Sequence, residues 1–200
     1  MWQGVFAEFR PGLLSTEADL SRAEAELGFA LPASYRAFAQ ECGAGRIGGQ
    51  LRIATPVSVP SADIVTRAHV VAHSVAVAID SLSENPLTRD EPHRFTIEGD
   101  ADAALMERAA FFGETTGGSF LFWDVTPGVG EYEIWALDAD LETIHFGGTD
   151  LLALVRGLQG AEILHILGGA DAPLPSLFEG DDEAALARLA LEAPTGDLEA

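Results

Sequence analysis

Lysine is absent from this chain. Its 11 basic residues are all arginine, they face 32 acids, and the formal net charge is −21. So few cations against so many acids repel phosphate backbones and anionic headgroups, which argues against nucleic-acid and membrane binding. The exclusive use of arginine is a signature of a GC-rich genome rather than of a mechanism. Cysteine is nearly absent too: Cys42 stands alone, which excludes an intramolecular disulfide and a cysteine-based zinc site. On an amphipathic stretch it reads as a small apolar packing residue rather than a reactive thiol. Long apolar runs are missing. The most apolar, HVVAHSVAVAI at 69–79, is too short to span a bilayer and carries His69 and His73. The opening MWQGVFAEFR has no basic segment and reaches an acid at Glu8, unlike a signal peptide. A soluble, cytoplasmic protein is the expectation. No internal repeat is visible.

What is present suits a globular protein. A hydrophobic content of 48% over 200 residues supports a real core and one domain with appendages. The acid is unevenly spread. Residues 1–95 hold 11 acids against 8 arginines (−3), residues 96–160 hold 12 against 2 (−10), and the last forty hold 9 against 1 (−8). Such a surface serves solubility, and it also attracts a basic protein and speeds encounter with it.

The stretch LSRAEAELGFALPASYRAFAQECGAGRIGG, from Leu20 to Gly49, carries the clearest pattern. Leu20, Ala23 and Leu27 recur at helical spacing, while Glu17, Glu24 and Glu26 lie off that stripe. Thr16 with Asp19 three residues on predicts a capped start, and Gly28 a stop. A second helix begins at Pro32, which suits a first turn, and sets Tyr35, Phe38 and Cys42 on one face. Both helices are too short to be stable without docking.

Further along, GQLRIAT (49–55) alternates as a strand does and ends at Pro56 and Pro60. Residues 62–82 predict a helix through about Ala72, with SVAVAID left open between helix and buried strand. Asn-Pro and Glu-Pro pairs mark a loop at 84–93, followed by a short strand in RFTIEG and a short helix in DADAALMERA. FLFWDV is apolar up to Asp124, as in a central strand covered on both faces. EYEIWAL sets Tyr132, Ile134 and Ala136 against Glu131, Glu133 and Trp135. Leu151, Leu152, Val155 and Leu158 form a closing helix capped by Thr149. Gly, Ala, Pro and Asp dominate 168–182, read as a linker, and 183–200 as an acidic tail with a short helix bearing Leu186, Leu189 and Ala193.

Motifs that carry chemistry are weak. Gly43, Gly45 and Gly48 spell G-x-G-x-x-G, but they follow a helix and precede a strand, the reverse of a dinucleotide site. His69 and His73 share a helical face, yet Val70 stands where a zincin needs glutamate. His93, His145 and His165 are isolated, and Ser119 and Ser176 sit in no nucleophile elbow. No cofactor and no metal is expected. The acids Asp124, Glu131, Glu133, Asp138, Asp140 and Glu142 gather around one turn and one strand. Glu131 and Glu133, two apart, point the same way and have the spacing of an acid–base pair, without the cleft a glycosidase needs. These six form the candidate partner-binding face.

Leu31-Pro32, Tyr35-x-x-Phe38 and the glycine-rich exit at 43–49 resemble the opening of the SUKH superfamily. AAFFGETTGGSFLFWDV (109–125) is similar to that family's central hairpin, with YEIWALD and HFGGTDLLALVRGL following as strand and closing helix. The likeness covers 13–158, with an unmatched insertion near 56–105, so that 1–167 forms the SUKH-like domain. It implies an α+β fold, a largely antiparallel sheet with packed helices, here with an acidic C-terminal extension. It further implies a non-enzymatic binding module, an immunity protein whose acidic face covers a basic surface of a cognate bacterial toxin, such as a nuclease. The alternative is an intracellular scaffold or regulator with no toxin partner. An enzyme using a carboxylate pair is a distant third.

Overall fold

Three residues hold the centre of the molecule together. The Trp123 indole stacks on Phe112 at 4.2 Å between centroids and 12° between planes, and Tyr35 meets it edge-on at 4.8 Å. Buried aromatic pairs in these geometries contribute about 0.5–1.5 kcal/mol each beyond their area. The computed structural model in which these contacts lie describes residues 2–83, 93–101, 103–128 and 130–192.

Among the described residues the elements follow in the order β1 (Glu8–Arg10), α1 (Glu17–Leu27), α2 (Ala33–Glu41), β2 (Gly45–Ile47), β3 (Leu51–Ile53), α3 (Ile64–Ser83), β4 (Thr96–Ile97), β5 (Ala109–Thr115), β6 (Phe120–Asp124), β7 (Ile134–Leu137), β8 (Thr143–Gly148), α4 (Leu151–Leu158), α5 (Ile163–Ile166), β9 (Leu177–Gly180) and α6 (Glu183–Glu192). The strands form one sheet ordered β1-β9-β2-β3-β5-β6-β7-β8-β4. Pairing is antiparallel throughout the interior and parallel at the two edges, β1 with β9 and β4 with β8. The fold is α+β, as expected.

Local signals near the N-terminus act as the residue types dictate. Thr16 and Asp19 form a reciprocal capping box on α1, and Gly28 closes the helix with φ of 80°. The Thr16 hydroxyl and backbone N–H hold the Asp19 carboxyl below its ordinary value. Helix α2 begins one residue later than expected, at Ala33, with Pro32 as its flanking residue. Its Tyr35 hydroxyl donates to the Ala54 carbonyl at 2.6 Å, and burial pushes that phenol well up. Phe38 instead meets Phe178 and Trp2 edge-on. Cys42 is buried beside them, and its thiol is pushed up by burial. The glycines of 43–49 sit at the exit of α2 and on β2, not at a helix N-terminus.

The interior of the sheet is apolar on both faces. Trp123, Leu121, Ile134 and Ala136 belong to a first cluster with α1, α2, α4 and α5. Their neighbours Phe122, Trp135 and Leu137 point the other way, into a second cluster with Phe111, Val71 and Val75. FLFWD is thus covered on both sides. Helix α3 runs through the segment left open, to Ser83, because Val71 and Val75 continue its buried stripe one turn apart. RFTIEG contributes two strand residues, Thr96 and Ile97, and DADAALMERA a 3-10 turn at Ala103–Arg108. The loop expected at 84–93 lies, except for His93, outside the described residues.

Two expectations are corrected. The closing helix α4 is capped by Asp150, whose carboxylate accepts from the Ala153 N–H at 2.8 Å, and not by Thr149. The segment 168–182 is no linker. It contains β9, which is inserted between β1 and β2 and carries the fully buried Phe178. Glycine permits this insertion: a Cβ on Gly180 would lie 2.0 Å from the Gly12 nitrogen. Leu186 of α6 is also buried, while the side chain of Leu189 and residue Ala193 fall outside the described residues.

Candidate functional site

The six candidate acids do not form one face. Asp124, Glu131 and Glu133 lie at the start of β7 or beside it, and Asp138, Asp140 and Glu142 at its far end, in the turn to β8. A four-residue strand separates the groups by about 13 Å. Four of the six are committed to internal bonds. Arg108 donates to both oxygens of Asp124, at 2.5 and 3.0 Å. Glu131 accepts from the Ser34 backbone N–H and from its hydroxyl, each at 2.7 Å. It thereby serves as the cap that Pro32, with no side-chain acceptor, cannot be for α2. The Ser34 Oγ in turn accepts from the Leu151 N–H at 3.2 Å, joining the N-termini of α2 and α4. Asp138 accepts from the Ser119 hydroxyl at 2.9 Å and the Ala139 N–H at 3.0 Å. Asp140 accepts from the Glu142 and Thr143 N–H groups and the Thr143 hydroxyl. Against the cost of burial, these bonds and the nearby His145 hold its carboxyl below the usual range.

Glu133 and Glu142 remain. Both are exposed, and neither makes a side-chain hydrogen bond or ion pair among the described residues. Strand alternation puts Glu133 on the same side as Trp135. Trp135 pairs edge-on with Phe146 at 5.2 Å across the β7–β8 ladder. Beside these rings the chain leaves β4 through Glu98, Gly99, Asp100 and Ala101, and together these residues line an open groove of about 430 Å³. Glu98 is anchored in its wall. Burial opposes its charge, but the Phe146 N–H and the His165 Nε2 at 2.5 Å, with His145 beyond, hold its carboxyl below the usual range. Asp100 is exposed. Sequence reasoning missed Glu98, Asp100 and Phe146. The alternation Glu133–Trp135 was the available signal, but the partners from β4 and β8 are tertiary neighbours.

Glu133 and Asp100 border the groove with no ion pair among the described residues, whereas six arginines elsewhere (Arg10, Arg22, Arg36, Arg52, Arg67 and Arg108) are paired with the chain's own acids. The chain matches the family model for the SMI1/KNR4 family (SUKH-1) over residues 14–153. The chain belongs to that family. The match spans the helix pair, the β5–β6 hairpin and the β7–β8 ladder that builds the groove, and it stops within α4, before β9. Membership of the SUKH family supports a protein-binding, immunity-like module. No curated protein matches the chain. Among the described residues, no helix is long and apolar enough to cross a membrane, and no group of His, Cys, Asp or Glu is arranged to hold a metal ion. His69 and His73 lie exposed on α3.

Proposed function

We propose that this chain is a non-enzymatic immunity protein that neutralises a cognate bacterial toxin by covering a basic surface on it. One observation carries the reading. Glu133, Asp100 and Glu142 are exposed, with no side-chain hydrogen bond or ion pair among the described residues, in a protein of net charge −21 in which six of the eleven arginines are taken up by internal pairs. Enzymes that act on polyanions present basic substrate channels, and an acidic surface competes for such a channel electrostatically. Asp124, Glu131, Asp138 and Asp140 are engaged in internal bonds, so the free charge lies with Glu133 and Asp100 at the groove and with Glu142 in the turn at the far end of β7. The protein acts from the cytoplasm, where a toxin of this kind would do its damage.

Co-expression tests this. If a long gene lies directly upstream, its product should arrest growth when expressed alone and be tolerated when this chain is present, with the two copurifying. Growth arrest undiminished by the chain, with no complex formed, would remove the immunity reading and leave a scaffold or regulatory role.

A further inference from the structure

We infer that the groove floored by Trp135 and Phe146 is an anchor site for one arginine side chain of the basic partner, an assignment that rests on the protein-binding reading above. The floor is aromatic: the two rings meet at 73° and 5.2 Å. A guanidinium lying on an indole or phenyl face is attracted by the ring quadrupole, more strongly where water is excluded. The walls are anionic, with Glu133 and Asp100 exposed and unpaired and Glu98 held charged by the Phe146 N–H and the histidine rings. Arginine suits this combination better than lysine, because its planar fork stacks on a ring and still bonds carboxylates edge-on.

A further observation points to an occupant. Trp135 is 6% exposed and lines the groove, yet its Nε1–H is buried with no acceptor among the described residues. A buried donor left unpaired is unfavourable, and because this nitrogen is itself shielded from solvent, an entering peptide carbonyl would satisfy it only once the ring turned it toward the groove. The volume of about 430 Å³ admits a guanidinium with its flanking peptide. Glu98 acts as a positioning residue. Bound by β8 and by His165 of α5, it fixes the turn that carries Asp100.

The test uses the full chain and a blocked Gly-Arg-Gly tripeptide, followed through the indole N–H resonances of Trp2, Trp123 and Trp135. The Trp135 signal should shift saturably while those of the fully buried Trp2 and Trp123 stay put. The neutral citrulline tripeptide should bind at least tenfold more weakly, and Glu133→Gln and Asp100→Asn should each weaken the arginine peptide severalfold without altering the rest of the spectrum. An unmoved Trp135 signal, or an equal response to arginine and citrulline, overturns the assignment. The two readings separate cleanly. If the tripeptide leaves Trp135 unmoved while the co-expressed toxin is neutralised, the anchor fails and the immunity reading stands. If Trp135 responds to arginine but no toxin is neutralised, the anchor stands and the immunity reading fails.

Discussion

Two acidic regions of this molecule invite comparison: the segment that carries the last strand of the chain, 177–182, and the groove beside β7. The first is bound into the fold. Phe178 is fully buried against Phe38, Asp181 pairs with Arg52 at 2.5 Å, and the Asp181 carbonyl accepts from Leu13. The second surrounds its rings with Glu133 and Asp100, which bond to nothing described. A count of acids treats the two regions alike. What separates them is the backbone beneath the charge: β9 has a neighbour on each side, whereas the groove opens where the short edge strand β4 leaves β8. Formal charge therefore overstates available charge, and the surplus has to be located residue by residue.

The most drastic way to break the contrast is to remove the first region. A chain ending at 168 loses β9, leaving β1 without its partner and β2 with an open side. Loss of the cooperative thermal transition is the expected outcome. A cooperative transition within a few degrees of the full chain would make 168–182 a linker after all. Next comes Phe178→Ala, which deletes a buried ring and should cost about 3–5 kcal/mol in a urea titration. A cost below about 1 kcal/mol would mean that β9 is only loosely docked.

Glu131 and Glu133 sharpen the comparison at closer range, since they lie two residues apart. Glu131→Ala removes the acceptor of the Ser34 N–H and hydroxyl and should destabilise by about 0.5–2 kcal/mol, as lost helix caps do. Glu133→Ala should stay within about 0.5 kcal/mol, as exposed substitutions do. Equal effects would erase the distinction between committed and free acids. The smallest stability effect belongs to reversing Glu133 and Glu142 together. It should leave folding intact, slow association with the cognate toxin domain by about tenfold or more at low salt, and flatten the dependence of the on-rate on ionic strength. A stopped-flow salt series that superimposes on wild type would place the interface elsewhere.

Legibility followed the range of the interaction. The box of Thr16 and Asp19 and the stop at Gly28 were readable because each involves neighbours in sequence. FLFWD was readable as a doubly covered strand because five residues carry its whole signal. The cap of α4 was misplaced by one residue, from Asp150 to Thr149, since both types cap well and only geometry chooses. Glu131 looked like surface charge because the helix it caps lies 97 residues earlier. Strand β9 looked like a linker because its surroundings are Gly, Pro and Asp, and a single buried Phe178 is too little for a periodicity.

The sequence alone determined the family, the α+β class, the two helices at the front with the cap of the first, and the large acidic surplus, all matters of local pattern and composition. Only the tertiary structure decided which acids stay available and where the chain's last strand goes. Those outcomes depend on which N–H groups and which sheet neighbours a residue meets far away along the chain. Neither composition nor spacing encodes such meetings.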